Sequence, residues 1–327
     1  MLLLSCNGNN RSVPDPAPAV YYWRTTLSLD STERAFLDQY KVKKIYMRFF
    51  DVVPDGNGGV KPNATLAFDD SVPAGIEVIP TVFITENCMD CNLDSVPAML
   101  VQRVAKMCSA HRVRNVKELQ VDCDWTETSR EIYYRFLEQM RPALDSLGWR
   151  LSATIRLHQL AMPAPPVDYG VLMVYNTGDF RDHDCANPIL TEMDVAPYLR
   201  YLSGYDLPLS AAYPNFGWNL LFQGTEFKAI LYGDDMSDST IYARIDSSRH
   251  LVVQSRYQYQ SLGGTAVHLN VGDSVLTRLP SSSTILAVHD ALSSHRPDIN
   301  RQVVIYCLDK NNINNYTAKH YEKVFHP

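Results

Sequence analysis

The feature that most constrains this chain is a regular alternation of short apolar segments with amphipathic helical ones. Eight segments rich in β-branched and aromatic residues have strand length: 20–26, 43–52, 77–84, 118–124, 150–157, 168–176, 207–213 and 301–308. Helical periodicity occupies 31–39, 96–110, 129–144, 194–202 and 316–324. This alternation is typical of parallel strands joined by helices. Eight such strands within 327 residues predict an α/β fold of the (β/α)8 TIM-barrel type.

One stretch departs from the alternation. Residues 216–283 contain several strand-like pieces and few helix signals, so we expect an elaborated β-rich insertion late in the barrel. The predicted organisation is a single barrel domain over 19–327, preceded by a short leader over 1–18. An open doubly wound sheet is the alternative, but no G-x-G-x-x-G turn follows the first strand or occurs elsewhere.

Composition narrows the functional classes. The chain is 46% hydrophobic and 20% charged, as in ordinary globular proteins and unlike disordered, collagenous or coiled-coil chains. Its net charge is −6 and its basic residues are scattered, so no nucleic-acid partner is expected. No apolar run reaches the roughly 18 residues of a membrane-spanning helix. No sequence signal indicates an oligomer, so we expect a monomer.

The first residues resemble the end of a bacterial lipoprotein signal. An apolar run, Leu2–Leu4, leads through Ser5 into Cys6, but the basic region and most of the apolar region are missing, so the signal is truncated or starts upstream. A polar, Pro-rich stretch follows, as in a flexible tether. We expect a lipid anchor on Cys6 and a location in the bacterial cell envelope, on the periplasmic or outer surface. The alternative is a frayed terminus in which Cys6 is incidental.

A Cys-x-x-Cys pair, Cys88 and Cys91, permits a redox pair, half of a zinc site or a local disulfide. No second Cys-x-x-Cys or His pair accompanies it, so structural zinc is not expected. The sequence predicts no metal and no cofactor.

Three acidic residues, Asp122, Asp124 and Glu127, follow the fourth predicted strand. Alternate residues of a strand share a face, so Asp122 and Asp124 point the same way, toward the end of the barrel where TIM-barrel active sites lie. Paired carboxylates are typical of glycoside hydrolysis. The alternative is helix capping, since Asp or Thr followed by Glu can satisfy the first amides of the next helix. Capping applies most readily to Glu127.

The fifth predicted strand carries a polar face that includes Thr154, Arg156 and His158. If this face points into the barrel, Arg156 neighbours Asp122 or Asp124 and offsets their charge. The pair can be a structural ion pair of the barrel core or part of a catalytic site. His158 can act as a base, a ligand or a hydrogen-bonded spectator.

Further candidates lie at the ends of the other predicted strands. Tyr175 and Asn176 end the sixth and can hold a hydroxyl or carbonyl of a substrate, unless Tyr175 is a core tyrosine. Aromatic and paired polar groups at a barrel rim suit saccharides, whose C–H faces stack while their hydroxyls need directional partners. The remaining substrate-binding candidates are Trp23, Arg48, Glu86, Trp125, Tyr213 and Trp218.

Two of these segments resemble the family 18 glycoside hydrolases, the chitinase-like (β/α)8 barrels. That family carries D-x-x-D-x-D-x-E at the end of strand four and Met-x-Tyr-Asp/Asn on strand six. The matching positions here are Asp122, Asp124, Trp125, Met173, Tyr175 and Asn176. The whole chain also resembles a group of Bacteroidetes-type envelope lipoproteins with glycosidase-like barrels.

The match has two departures. Leu119 stands at the first aspartate of the motif and Thr126 at the glutamate, with Glu127 one residue late. In the family the glutamate protonates the leaving oxygen, the neighbouring aspartate orients a nucleophilic acetamido group of the substrate, and the tyrosine supports that group. The resemblance therefore implies catalytic roles for Asp122, Asp124, Glu127 and Tyr175.

Three hypotheses follow. The first is a glycoside hydrolase of the cell envelope that acts on an oligo- or polysaccharide through these carboxylates. The alternative is a non-catalytic glycan-binding lipoprotein on a degenerate glycosidase barrel, which the missing glutamate at position 126 favours. A metal-assisted hydrolase using Asp122, Asp124 and His158 is the weakest, since no second histidine cluster supports it.

Overall fold

Eight parallel strands form a closed barrel in the computed structural model, which describes residues 17–259 and 266–326. The strands are β1 (Ala19–Tyr22), β2 (Lys44–Pro54), β3 (Glu77–Ile84), β4 (Glu118–Asp122), β5 (Arg150–Arg156), β6 (Tyr169–Met173), β7 (Leu209–Pro214) and β8 (Val303–Tyr306). Each strand pairs with the next, and Ala19 of β1 lies opposite both Lys44 and Val304, which closes the sheet. The predicted TIM-barrel fold is confirmed. Cys6 and the lipoprotein-like segment lie outside the described residues.

Helices cover the outside of the barrel. They are α1 (Ser31–Gln39), α2 (Val96–Ala110), α3 (Arg130–Leu147), α4 (Glu192–Leu202), α5 (Ser282–His295), α6 (Lys310–Ile313) and α7 (Ala318–Phe325), with 3-10 turns at Glu86–Asp90, Leu157–Ala161 and Ile299–Arg301. A capping box fixes the start of α1, where Asp30 accepts from the Glu33 amide and Glu33 from the Asp30 amide. Gly148 ends α3 with a φ of 68°, a backbone conformation that favours glycine. No helix of the described chain is long and apolar enough to cross a membrane.

The segment between β7 and α5 is rich in antiparallel strands. Five of them form one sheet: Trp218–Gln223, Glu226–Ile230, Tyr242–Arg244, Arg249–Val252 and Ser274–Arg278. A separate pair joins Arg256–Tyr259 to Ala266–Leu269. The five-stranded sheet has an apolar core of its own that includes Leu221, Tyr242 and Val275. Elsewhere, Val60–Asn63 pairs antiparallel with β2, and Thr26–Leu27 pairs with Ala67–Phe68.

A column of polar side chains runs up the interior of the barrel along β4. Its members accept hydrogen bonds from other strands: Glu118 from Ser152 of β5 at 2.6 Å, Gln120 from Tyr21 of β1 across the barrel at 2.8 Å, and Asp122 from Thr154 of β5 at 2.6 Å. Alternation places the intervening residues, such as Val121 and Ala153, against the helices, and both are fully buried. Each of these side chains accepts a hydrogen bond, which offsets part of the cost of its burial, although Glu118 Oε2 and Gln120 Nε2 have no hydrogen-bond partner among the described residues. The column ends at Asp122, at the mouth of the barrel.

Candidate active site

Asp122 lies at the top of β4 and is 4% exposed. Its Oδ1 accepts hydrogen bonds from Thr154 Oγ1 at 2.6 Å and from Arg156 Nη2 at 3.1 Å, both on β5. A buried carboxylate needs a charged or hydrogen-bonding partner, and here it has both. The adjacency of Arg156 and Asp122, predicted from the alternation of β5, is confirmed.

Arg156 connects the buried carboxylate to an exposed one. Its Nε lies 3.9 Å from Asp124 Oδ1, and His158 Nε2 lies 3.8 Å from the same oxygen. The Asp124 side chain is 59% exposed. Burial alone would lower the pKa of Arg156, but electrostatic interactions, the largest of them with Asp122, outweigh burial, so the pKa is raised and the guanidinium stays charged. The site therefore presents one accessible carboxylate between two basic side chains.

Tyr175 lies just beyond β6 and is buried among aromatic side chains near the mouth, as a core tyrosine is. Its ring stacks on Tyr306 at the end of β8, with centroids 4.8 Å apart, and meets the edge of Phe216 at 5.9 Å. Its hydroxyl donates to Met173 Sδ at 2.8 Å. Burial raises the pKa of Tyr175 well above its ordinary value, so the hydroxyl stays protonated and can donate a hydrogen bond.

Two further candidates, Trp23 and Arg48, adjoin the aromatic cluster of Tyr175, Tyr306 and Phe216. Trp23 is partly buried and contacts Tyr306 with ring centroids 5.9 Å apart. The Arg48 guanidinium lies 5.8 Å from the Trp23 ring, a cation–π distance, and its Nε donates to Asp51 Oδ1 at 2.7 Å. These contacts join β1, β2 and β8 around the same opening.

The Trp218 ring, at the start of the five-stranded sheet, is also partly buried. It lies 5.4 Å from Phe216 and 5.7 Å from Phe180, measured between centroids. Because Phe216 contacts Tyr175, an aromatic chain runs from the β-rich segment to the mouth of the barrel.

The structure does not bring Trp125 and Tyr213 into this cluster, which corrects the expectation that they stack on a ligand. Trp125 is fully buried, stacked on Tyr133 of α3 at 6.1 Å. Tyr213 is also fully buried, and its hydroxyl donates to Asn300 at 2.8 Å. Both rings therefore serve the packing of helices around the barrel.

Glu127 and Asn176 are exposed. Glu127 lies in the turn before α3, and Asn176 follows β6 with a φ of 56°. No hydrogen bond or ion pair holds the Glu127 carboxylate within the part of the chain that the structure describes.

Glu86, by contrast, is held at the mouth. It begins the 3-10 turn after β3, is partly buried, and its Oε1 accepts from Thr126 Oγ1 at 3.2 Å. Thr126, which stands where the chitinase-like motif has its glutamate, thus donates a hydrogen bond to a glutamate in the turn after β3.

Sequence reasoning missed Tyr306 and Phe216 altogether, and it assigned no role in the site to Thr126 or Thr154. Thr154 and Tyr306 had a usable signal, because each lies in phase with an inward residue of its own strand. Thr126 and Phe216 lie in loops, where strand alternation gives no direction.

The Cys-x-x-Cys pair lies apart from the Asp122 cluster, in the turn that begins with Glu86. Cys88 is buried and its thiol donates to the Val52 carbonyl at 3.3 Å, while burial raises its pKa. Across residues 17–259 and 266–326, no three His, Cys, Asp or Glu side chains are arranged to hold a metal ion. The cation between Asp122 and Asp124 is the Arg156 guanidinium.

Comparison with solved structures identifies the fold. A chitinase from Chromobacterium violaceum matches with a TM-score of 0.57 at 13% identity, over 94% of this chain and 98% of that one. The spore cortex-lytic enzyme SleL of Bacillus cereus matches with a TM-score of 0.52 at 14% identity, over 94% and 75%. This chain has the fold of the chitinase-like barrels. A Group IV chitinase of Ostrinia furnacalis in complex with allosamidin matches with a TM-score of 0.53 at 12% identity, over 95% and 97%. No protein-family model and no curated protein matches the sequence.

Proposed function

We propose that the mouth of the barrel is the active site of a glycoside hydrolase acting on an oligo- or polysaccharide. One observation carries the proposal: the accessible Asp124 carboxylate lies beside Arg156 and His158, next to the buried Asp122, at the carboxyl end of β4. TIM-barrel enzymes place their chemistry at this end, and the adjoining aromatic rings suit a sugar.

The two aspartates take different roles in this proposal. Asp122 is enclosed by Thr154 and Arg156, so it positions the guanidinium and does not meet the substrate. Asp124 is the carboxylate that contacts the sugar and accepts a proton from it or from water. Arg156, whose Nη1 has no hydrogen-bond partner among the described residues, supplies a donor to substrate oxygens.

A second candidate is a glycan-binding protein without catalysis. The observation that favours it is Thr126, which cannot donate a proton as a carboxylic acid does, at the strand-four position where the chitinase-like motif has its glutamate. Binding needs the aromatic rings and Asp124 but no acid.

A ligand screen followed by product analysis separates the candidates. The wild type and Asp124→Asn are melted with a panel of chitooligosaccharides and peptidoglycan fragments, chosen because the similar structures are chitinases and a spore cortex-lytic enzyme. A bound sugar raises the melting temperature by mass action. A shift lost in Asp124→Asn, together with cleavage, supports the hydrolase, and a shift without cleavage supports binding alone. If no sugar shifts the wild type, both candidates fail.

We also propose that the protein is a monomer anchored in the bacterial envelope through Cys6. The support for the anchor is the lipoprotein-like pattern from Leu2 to Cys6, and the support for a monomer is the absence of any oligomer signal in the sequence. Fatty-acid labelling of the full-length protein in a bacterial host tests the anchor, and the label is expected to disappear in Cys6→Ser. Sedimentation of the barrel tests the monomer.

A further inference from the structure

We propose that Glu86, in the 3-10 turn after β3, is the proton donor of this site, with Thr126 as the residue that positions its carboxylate. The inference rests on the proposed hydrolase function. It places the proton donor in the turn after β3, which contains no residue of the strand-four motif.

Strand register brings Glu86 to the site. Strands β3 and β4 pair in parallel with Phe83 opposite Asp122, so the residues that follow these two lie side by side at the mouth. Glu86 is three residues beyond Phe83, and Thr126 is four beyond Asp122. The 3.2 Å hydrogen bond between Thr126 Oγ1 and Glu86 Oε1 is the result.

The buried Cys123 thiol, which lies between Asp122 and Asp124 in the sequence, is also affected by Glu86. Burial is the main cause of its raised pKa, and the charges of Asp122, Asp124 and Glu86 raise it further, opposed by Arg156. Glu86 is therefore close enough to this end of β4 to act on it electrostatically.

A network of hydroxyls fixes the position of Thr126. Its backbone amide donates to Ser129 Oγ at 3.0 Å, and its Oγ1 lies 2.9 Å from Thr128 Oγ1. These bonds hold the hydroxyl that contacts Glu86, whereas the carboxylate of the neighbouring Glu127 has no hydrogen-bond partner among the described residues. A proton donor must be held within reach of the leaving oxygen, and Glu86 meets this requirement better than Glu127.

The chemical step balances with groups of this chain and water. Glu86 gives its proton to the glycosidic oxygen as the bond from the anomeric carbon to that oxygen breaks, and the electron pair of the bond stays on the leaving oxygen. The oxygen of a water molecule bonds to the anomeric carbon, and a proton of that water passes to Asp124. Asp124 then releases its proton to solvent and Glu86 takes one up from solvent, which restores both carboxyl groups.

Leaving-group dependence gives the test a readout specific to a proton donor. Wild type and Glu86→Gln are assayed on chitotetraose, whose leaving sugar needs protonation, and on a dinitrophenyl chitobioside, whose leaving group does not. Loss of a general acid costs about 100-fold to 10,000-fold. We expect kcat/KM of Glu86→Gln to fall by at least about 100-fold on chitotetraose and by less than about tenfold on the aryl glycoside.

Control variants make the result specific. Asp90→Asn removes an exposed carboxylate from the same 3-10 turn and is expected to keep wild-type rates. Melting curves verify that each variant is folded.

The role of Thr126 has a separate test. Thr126→Val is expected to shift the pH profile of kcat/KM on chitotetraose, and Thr126→Ser is expected to restore the wild-type profile. A purely structural role for Thr126 would leave the profile in place.

Two results overturn the inference in different ways. If the wild type cleaves chitotetraose while Glu86→Gln cleaves it equally well, or while Glu127→Gln shows the selective loss instead, Glu86 is not the donor and the hydrolase proposal stands. If the wild type cleaves neither substrate, the hydrolase proposal fails and the inference fails with it.

Discussion

Glu118, at the buried end of the polar column, is expected to make the stability of the barrel depend on pH. Its side chain is fully buried, and burial raises its pKa from 4.5 to about 7, against the opposing effects of Ser152, Lys44 and Arg150. Between pH 4.5 and about 7, the Glu118 carboxyl is therefore protonated in the folded state and ionised in the unfolded state. Because the folded state binds more protons, the free energy of unfolding decreases as pH rises through this window.

The magnitude follows from the same two values. At about 1.4 kcal/mol per pH unit, a rise from 4.5 to about 7 corresponds to about 3 kcal/mol. This contribution is fully present below pH 4.5 and is lost once pH exceeds about 7. Glu118→Gln keeps the shape and a hydrogen-bonding partner for Ser152 but cannot ionise. It should lose the dependence, so its stability relative to wild type increases with pH.

Urea denaturation of both proteins from pH 5 to pH 8 measures the effect. The difference in unfolding free energy between Glu118→Gln and wild type is expected to move by about 2–3 kcal/mol in favour of the variant across this range. Comparing the difference cancels all other titrating groups. A difference that stays constant with pH refutes the reasoning, because Glu118 would then have the same pKa in both states.

Three further predictions concern stability, each measured by chemical denaturation. Arg156→Met should cost about 3–5 kcal/mol at neutral pH, because it leaves the Asp122 carboxylate buried without its cation; a loss below 1 kcal/mol, on the order of a surface pair, would contradict this. Burial lowers the pKa of His320 from 6.5 to about 4, so the folded state favours the neutral imidazole and the free energy of unfolding decreases as pH falls from 6.5 to about 4. His320→Gln should make the free energy of unfolding less dependent on pH in this range. An unchanged midpoint of acid unfolding would contradict this prediction. Trp125→Ala should cost about 3–5 kcal/mol through lost packing on α3, whereas a ligand-stacking tryptophan at the surface would cost far less.

The sequence predicts the fold well because its local signals agree with one another. The predicted helices at 31–39 and 96–110 coincide with α1 and α2, and the capping box at Asp30 and Glu33 explains the sharp start of α1. The predicted strand at 77–84 coincides with β3. Helix α5 was not predicted, since its Ser-Ser-Thr start and serine-rich end read as a loop.

Prediction of the site succeeds within strands and fails beyond them. The two-residue period places Asp122, Thr154 and Arg156 on one inner face, and the structure brings them together. After residue 122 the chain leaves the strand, so the same period says nothing about Trp125, which turns outward to α3. The contact between Glu86 and Thr126 joins two loops through strand register, which no local pattern encodes.

Asp122 and Asp124 differ in whether the fold alone explains their presence. Asp122 is explained by the fold, because Thr154 and Arg156 satisfy its buried carboxylate and it is the carboxylate to which Arg156 donates a hydrogen bond. Asp124 has no such explanation. Its side chain is 59% exposed and its basic neighbours are 3.8 Å or more away, and exposed pairs of this kind contribute less than about 1 kcal/mol. An accessible carboxylate that the fold does not need, held at the mouth of a chitinase-like barrel, is the strongest reason to test this opening with sugars.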